Sequence, residues 1–268
     1  MSLADHDGPT LVILSLSPGA LGENKVQVRL RDPVGKRIDG SARVSLRRGN
    51  VEIAAVGVTA NVGEGKLLVS EADNYELLVA AAPVGQFAGV VRFELALPAP
   101  FPGPDLLARV DRAMNQLQGF RETQTLTSGT FVYAFSFAHE APDRTGYSFI
   151  GPDGGRHETV LIGTRRFDRD GQGPWSESDL GIPVATASFR YSADPNRVRL
   201  IGHESVDGRD TLVIALVAGA APGELYYRLW IDAATTQVQR YTMMATGHYM
   251  GGSYSDFNAP VDIAPPKP

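Results

Sequence analysis

The stretch Thr130-Phe131-Val132-Tyr133-Ala134-Phe135-Ser136-Phe137-Ala138 sets an aromatic ring at every odd position from Phe131 to Phe137, with mostly small residues between. Successive side chains of an extended strand point to opposite faces, so this period of two predicts a β-strand with one aromatic face. The period persists downstream, at about 157–168, 197–206, 210–218, 224–232 and 236–246, with turn residues such as Asp153-Gly154-Gly155 and Asp207-Gly208 between runs. Upstream it changes. Leu106, Val110, Ala113 or Met114, and Leu117 recur at helical spacing behind Asp105, a candidate N-cap, which predicts one amphipathic helix ending near Gly119. One helix beside a long antiparallel sheet makes residues 105–268 an α+β unit, not a doubly wound one.

Further upstream, residues 11–97 hold short alternating runs (Lys25 to Leu30, Ala42 to Leu46, Lys66 to Val69, Tyr75 to Val79, Val91 to Leu95) with turns roughly every ten residues. These predict a β-sandwich without helices. Asp32-Pro33-Val34-Gly35 has the composition of a reverse turn. Residues 98–104 contain four prolines in seven positions and read as a stiff linker between domains. Residues 1–10 are polar and turn-rich and read as a disordered leader, the start of an excised ectodomain fragment whose signal or anchor lay upstream.

Composition narrows the function. The chain has 268 residues, 43% of them hydrophobic, a net charge of −5 and no Cys. There is no excess positive charge of the kind nucleic-acid binders use, and no disulfide, zinc-thiolate site or thiol nucleophile can form. Nucleotide-loop, zinc-protease and nucleophile-elbow motifs are missing. The reading is therefore non-enzymatic, with no cofactor.

Two clusters carry candidate chemistry. Phe131, Tyr133, Phe135 and Phe137, faced by Leu106, Val110 and Met114 of the helix, either line an apolar cavity for an acyl chain or form ordinary core; the same residue types serve both. Met244, His248 and Met250, with Met243 nearby, are a set of soft ligands that would suit Cu(I) if the strand bends at Gly247. Asp168, Asp170, Gly173 and Asp179 match some positions of a calcium loop, although Gln172 and Asp179 depart from it. His139, His157 and His203 each precede a Glu, which on a strand lies on the opposite face.

Residues 105–268 also resemble the LolA-like superfamily, specifically its LppX/LprG-type lipid-binding envelope lipoproteins. The likeness rests on Ile162-Gly163-Thr164-Arg165-Arg166-Phe167 followed by Trp175, on Val206-Asp207-Gly208, on Leu229-Trp230-Ile231-Asp232, and on the closing Tyr254 to Pro266 segment. The resemblance implies an antiparallel half-barrel with a covering helix, a lipid or lipoprotein acyl chain as ligand, an extracytoplasmic location, and a membrane-anchored or other envelope partner. Residues Asn24 to Ile38 are similar to a hairpin of the immunoglobulin-like domains attached to CopC/CopD-type copper proteins and of FixH/YtkA-like modules, which implies an immunoglobulin-like sandwich for 11–97. A copper-handling ectodomain and a structural envelope module with no ligand are the alternative functions.

Overall fold

The computed structural model describes residues 1–86, 88–184, 187–220 and 223–266. It is mainly β, with antiparallel sheets and one α-helix among the described residues. The chain begins with β1 (Ser2–Asp7), β2 (Thr10–Ser17), β3 (Gly22–Arg31), β4 (Gly40–Arg48), β5 (Val51–Thr59), β6 (Gly65–Val69), β7 (Asp73–Pro83) and β8 (Gly89–Leu97). These form two four-stranded sheets, ordered β1-β2-β3-β6 and β5-β4-β7-β8. Alternation explains their packing. Val26, Val28 and Leu30 of the first sheet and Val44, Leu46, Leu77, Val79 and Phe93 of the second are at most 1% exposed and share one core, while Lys25 and Gln27 between them face water. The Asp32–Gly35 turn closes with a 3.0 Å bond from the Gly35 N–H to the Asp32 carbonyl.

The expected disordered leader is a strand. β1 pairs with β2 from Ser2↔Ser15 to Asp7↔Thr10, and Leu3 and Ala4 are buried. Its polar residues looked unsuited to packing because their partners lie more than 200 residues away: Asp5 pairs with Arg228 at 3.2 Å, and His6 stacks on Tyr249 with centroids 4.3 Å apart. The Pro-rich segment is also pinned. The Ala99 N–H donates to the Gly19 carbonyl at 3.0 Å, and the Pro100 carbonyl accepts from the Leu200 N–H at 2.8 Å.

Helix α1 spans Leu106–Asn115, shorter than expected; Gly119 opens a strand instead of ending the helix. Asp105 sits in helical conformation and its side chain makes no cap bond, so the expected N-cap is not made. After α1 come β9 (Gly119–Thr127), β10 (Val132–Glu140), β11 (Arg144–Ile150), β12 (Arg156–Ile162), β13 (Arg165–Asp170), β14 (Ser176–Asp179), β15 (Pro195–Val206), β16 (Arg209–Ala218), β17 (Leu225–Asp232), β18 (Val238–Ala245) and β19 (His248–Ser255). The run expected at 157–168 is split into β12 and β13 by a turn at Gly163, whose φ of +58° suits glycine.

All eleven strands form one sheet, ordered β14-β13-β12-β11-β10-β9-β19-β18-β17-β16-β15. Hairpins make every neighbour except the β19–β9 pair, which joins the last strand to the first of this region. The β16–β18 part is covered on both faces. On one, the α1 residues Leu106, Leu107, Val110 and Met114 pack with Ile214, Leu216, Leu229 and Ile231. On the other, Ile201, Val213, Ala215 and Trp230 join the core of the two small sheets, and Val217, Tyr226, Met244 and Tyr249 meet Ala4, Leu11 and Ile13. We call these the helix face and the sandwich face.

Candidate functional site

On β10 the odd residues Tyr133, Phe135 and Phe137 are half-buried and the intervening Ala134 and Ser136 are exposed. The odd set belongs to the helix face, because His139, next in the series, stacks on Phe120 of the α1 core with centroids 4.5 Å apart. From His139 the rings continue as a ladder: Phe137 at 5.8 Å, Phe135 a further 5.6 Å, Tyr133 a further 6.2 Å. Strand register sets Tyr147 opposite Phe137 and Phe149 opposite Phe135, with centroids 5.4 and 5.0 Å apart. His157 on β12 stacks on Phe149 at 4.6 Å. None of these rings belongs to the cluster under α1. The aromatic face is thus not part of the core beneath the helix, and its rings stay half-buried. Phe131 stands outside the ladder, before β10 and 58% exposed.

The sequence places the helix over this aromatic strand; the structure places it several strands away. Leu106, Val110 and Met114 are spent on core contacts, and the Met114 sulfur even accepts the buried Val238 N–H at 3.3 Å. What the helix does for the site is hold a strap, residues 187–192. Asp111 accepts bonds from the Tyr191 and Ser192 N–H groups at 2.7 and 2.9 Å, and Asn115 binds both the N–H and the carbonyl of Phe189 at 2.9 and 2.8 Å.

Between this strap and the sheet lies a cavity of about 420 Å³. Phe189 and Tyr191 line it from the strap, and Tyr227, Met243, Met250 and Tyr254 line it from β17–β19. Register explains this floor: Tyr227 pairs with Met243 and Met243 with Met250, so the three project side by side on one face. A polar wall comes from Glu122, Gln124 and Tyr241. The Tyr241 hydroxyl donates to Glu122 Oε1 at 2.5 Å and accepts from Gln124 Nε2 at 2.8 Å. Burial pushes the Tyr191, Tyr241 and Tyr254 hydroxyls well above their ordinary range, so the wall carries neutral phenols.

None of the seven residues expected to touch ligand lines this cavity, although Gln124 pairs directly with Phe135 and joins the ladder to it. The cavity residues were hidden for two reasons. Alternation along β17–β19 would have set Tyr227, Met243 and Met250 on one face only once the pairing was known. The strap has no period at all.

The metal candidates are separated. Thr246-Gly247 turns the chain, with Gly247 at φ +67°, so β18 and β19 form a hairpin and not one bent strand. Met244 pairs with Tyr249 and faces the sandwich core; Met250 pairs with Met243 on the helix face; His248 is exposed at the hairpin. The calcium-loop candidates are likewise engaged elsewhere. Asp168 binds Arg166 and Thr159, Asp170 binds His157, and Asp179 accepts the Gly181 N–H at the far end of the hairpin. Among the described residues, no group of three or more His, Asp or Glu is placed to hold a metal ion.

Other cavities lie elsewhere. One of about 540 Å³ runs between the second small sheet and β15 and is lined by paired charges, including Arg47, Glu76 and Arg92. Another of about 570 Å³ lies along the sandwich face over Thr125, Ala134, Thr242 and Gly251.

By structure the chain is similar to the lipoprotein LppX of Mycobacterium tuberculosis, with a TM-score of 0.49 and 15% identity over 60% of this chain and 99% of that one. It is similar to LprF of Mycobacterium bovis with a TM-score of 0.48 and 13% identity, over 61% of this chain and 96% of that one. No protein-family model and no curated protein matches the sequence.

Proposed function

We propose that the protein is a non-enzymatic, extracytoplasmic binding protein that holds the acyl chain of a lipid on the helix face, seated in the cavity beneath the strap and running out along the aromatic ladder. One observation carries this. Phe135, Phe137 and Phe149 are only half-buried beside a cavity floored by Tyr227, Met243 and Met250, and a contiguous, partly exposed apolar surface next to a cavity is a mark of a ligand-binding groove. A volume near 420 Å³ lies within the roughly 300–1,000 Å³ of small-molecule sites. Each methylene buried there contributes about 0.8 kcal/mol, so an apolar chain needs no charged contact to bind. The extracytoplasmic location rests on the sequence resemblance, as does an envelope partner.

Native mass spectrometry of the protein equilibrated with monopalmitoylglycerol tests the reading. Wild type is expected to carry one lipid, and Met250→Trp, which fills the floor of the cavity, to lose it without losing its thermal transition. Undiminished lipid in a folded Met250→Trp protein, or none in wild type, would exclude this cavity.

A further inference from the structure

Where the cavity meets the aromatic ladder, the helix face carries a polar gap. Glu122 Oε2 and His139 Nε2 face each other at 3.8 Å, too far for a direct hydrogen bond and close enough for one oxygen atom to touch both. His139 is 7% exposed and its Nε2 is buried without a hydrogen-bond partner; it does not itself line the cavity, so a ligand reaches Nε2 only past Glu122, which does. Its other nitrogen is occupied by the Thr145 hydroxyl at 3.2 Å. Glu122 Oε1 is taken by Tyr241, so Oε2 is the carboxylate oxygen left for a ligand, and Glu122 lines the cavity. Arg190 also lines the cavity, but it is exposed.

We propose that the bound lipid ends in an uncharged hydroxyl-bearing group, which donates to Glu122 Oε2 and accepts from His139 Nε2, and that Glu122 turns away acyl chains ending in a carboxylate or phosphate. This rests on the acyl-chain reading above and adds the class of head group. A hydroxyl both donates and accepts, which the gap requires when Thr145 donates to Nδ1 and leaves the ring proton on Nε2. An ionised acid only accepts, and beside Glu122 it would set two negative charges together against a poorly solvated wall.

The test compares monopalmitoylglycerol, palmitate and palmitoyl phosphate binding to the full chain near pH ~8, where both acids are ionised. Wild type should favour the glycerol ester over either anion by roughly tenfold or more. In Glu122→Gln, confirmed as folded by its thermal transition, that preference should collapse. Equal or stronger binding of the anions to wild type overturns the head-group proposal while the acyl-chain reading stands; failure of all three chains to bind overturns both. Unchanged selectivity in a folded Glu122→Gln protein overturns the assignment to Glu122. Should that variant not fold, the wild-type ranking decides.

Discussion

Trp230 and Trp175 look alike in the sequence and are opposite in place. Trp230 is 2% exposed, donates through Nε1 to Glu204 at 2.7 Å and lies under the Arg240 guanidinium, 3.9 Å from the ring centroid. Trp175 is half-exposed and touches Arg169 at 4.6 Å. Trp230→Ala should therefore cost about 3–5 kcal/mol and Trp175→Ala less than about 1 kcal/mol, read as shifts in the urea midpoint. Equal shifts would contradict these placements. Glu224 makes a second residue-scale case. Burial raises its carboxyl pKa, but the Tyr226 hydroxyl, Arg29 and Arg197 outweigh burial and hold it below the ordinary 4.5. A carboxyl depressed on folding stabilises the protein above its unfolded pKa, and the contribution disappears as pH falls through the folded value. Glu224→Gln should thus be less stable than wild type at neutral pH, and the gap should close in acid below about pH 4. A gap that is constant with pH would show that Glu224 contributes nothing through its charge.

At the scale of elements, the helix acts through its polar side as much as its apolar one. Asp111→Ala removes the acceptor of two strap N–H groups and should expose the Tyr191 and Ser192 amides to hydrogen exchange, at a cost of about 1–3 kcal/mol, while the apolar stripe of α1 stays in place. Unaltered exchange at these amides would mean that the strap is held otherwise. Strands with a strong period were legible: β10, β16 and β17 lie where alternation puts them, and Asp207-Gly208 makes the expected hairpin, both residues at positive φ. Less legible were β9, whose Arg-Glu-Thr-Gln-Thr run looks uniformly polar, and β19, where Gly251 and Gly252 interrupt any pattern. Glu122 and Gln124 of β9 become intelligible only when the register brings Tyr254 and Gly252 beside them. The strap carries a wall of the cavity, and its place depends on Asp111 and Asn115, some 75–80 residues away, which local sequence does not encode.

Across the whole molecule, the sequence reading divides the chain at 98–104, and the structure shows how tightly the two sides are joined. Arg29 reaches Glu224 at 3.2 Å, the Tyr249 hydroxyl donates to the Pro9 carbonyl at 2.8 Å, and Trp230 completes the core of the small sheets. We expect one cooperative thermal transition and no early proteolytic cut between Pro98 and Pro104, since Ala99 and Pro100 are both hydrogen-bonded into the body; early release of two folded pieces would contradict this. The small sheets cover the sandwich face of β15–β17, and the cavity beneath the strap lies on the helix face, so a ligand long enough to outgrow it has the aromatic half of that face to extend along. Photo-crosslinking with a monoacylglycerol bearing a diazirine on its chain, followed by peptide mapping, tests that claim most directly. Label is expected on Tyr227, Met243 and Met250, extending to Phe135 or Phe149 as the diazirine moves along the chain. Label on Thr125, Ala134 or Thr242 of the opposite face, or in the charged cleft at Arg47 and Arg92, would contradict it.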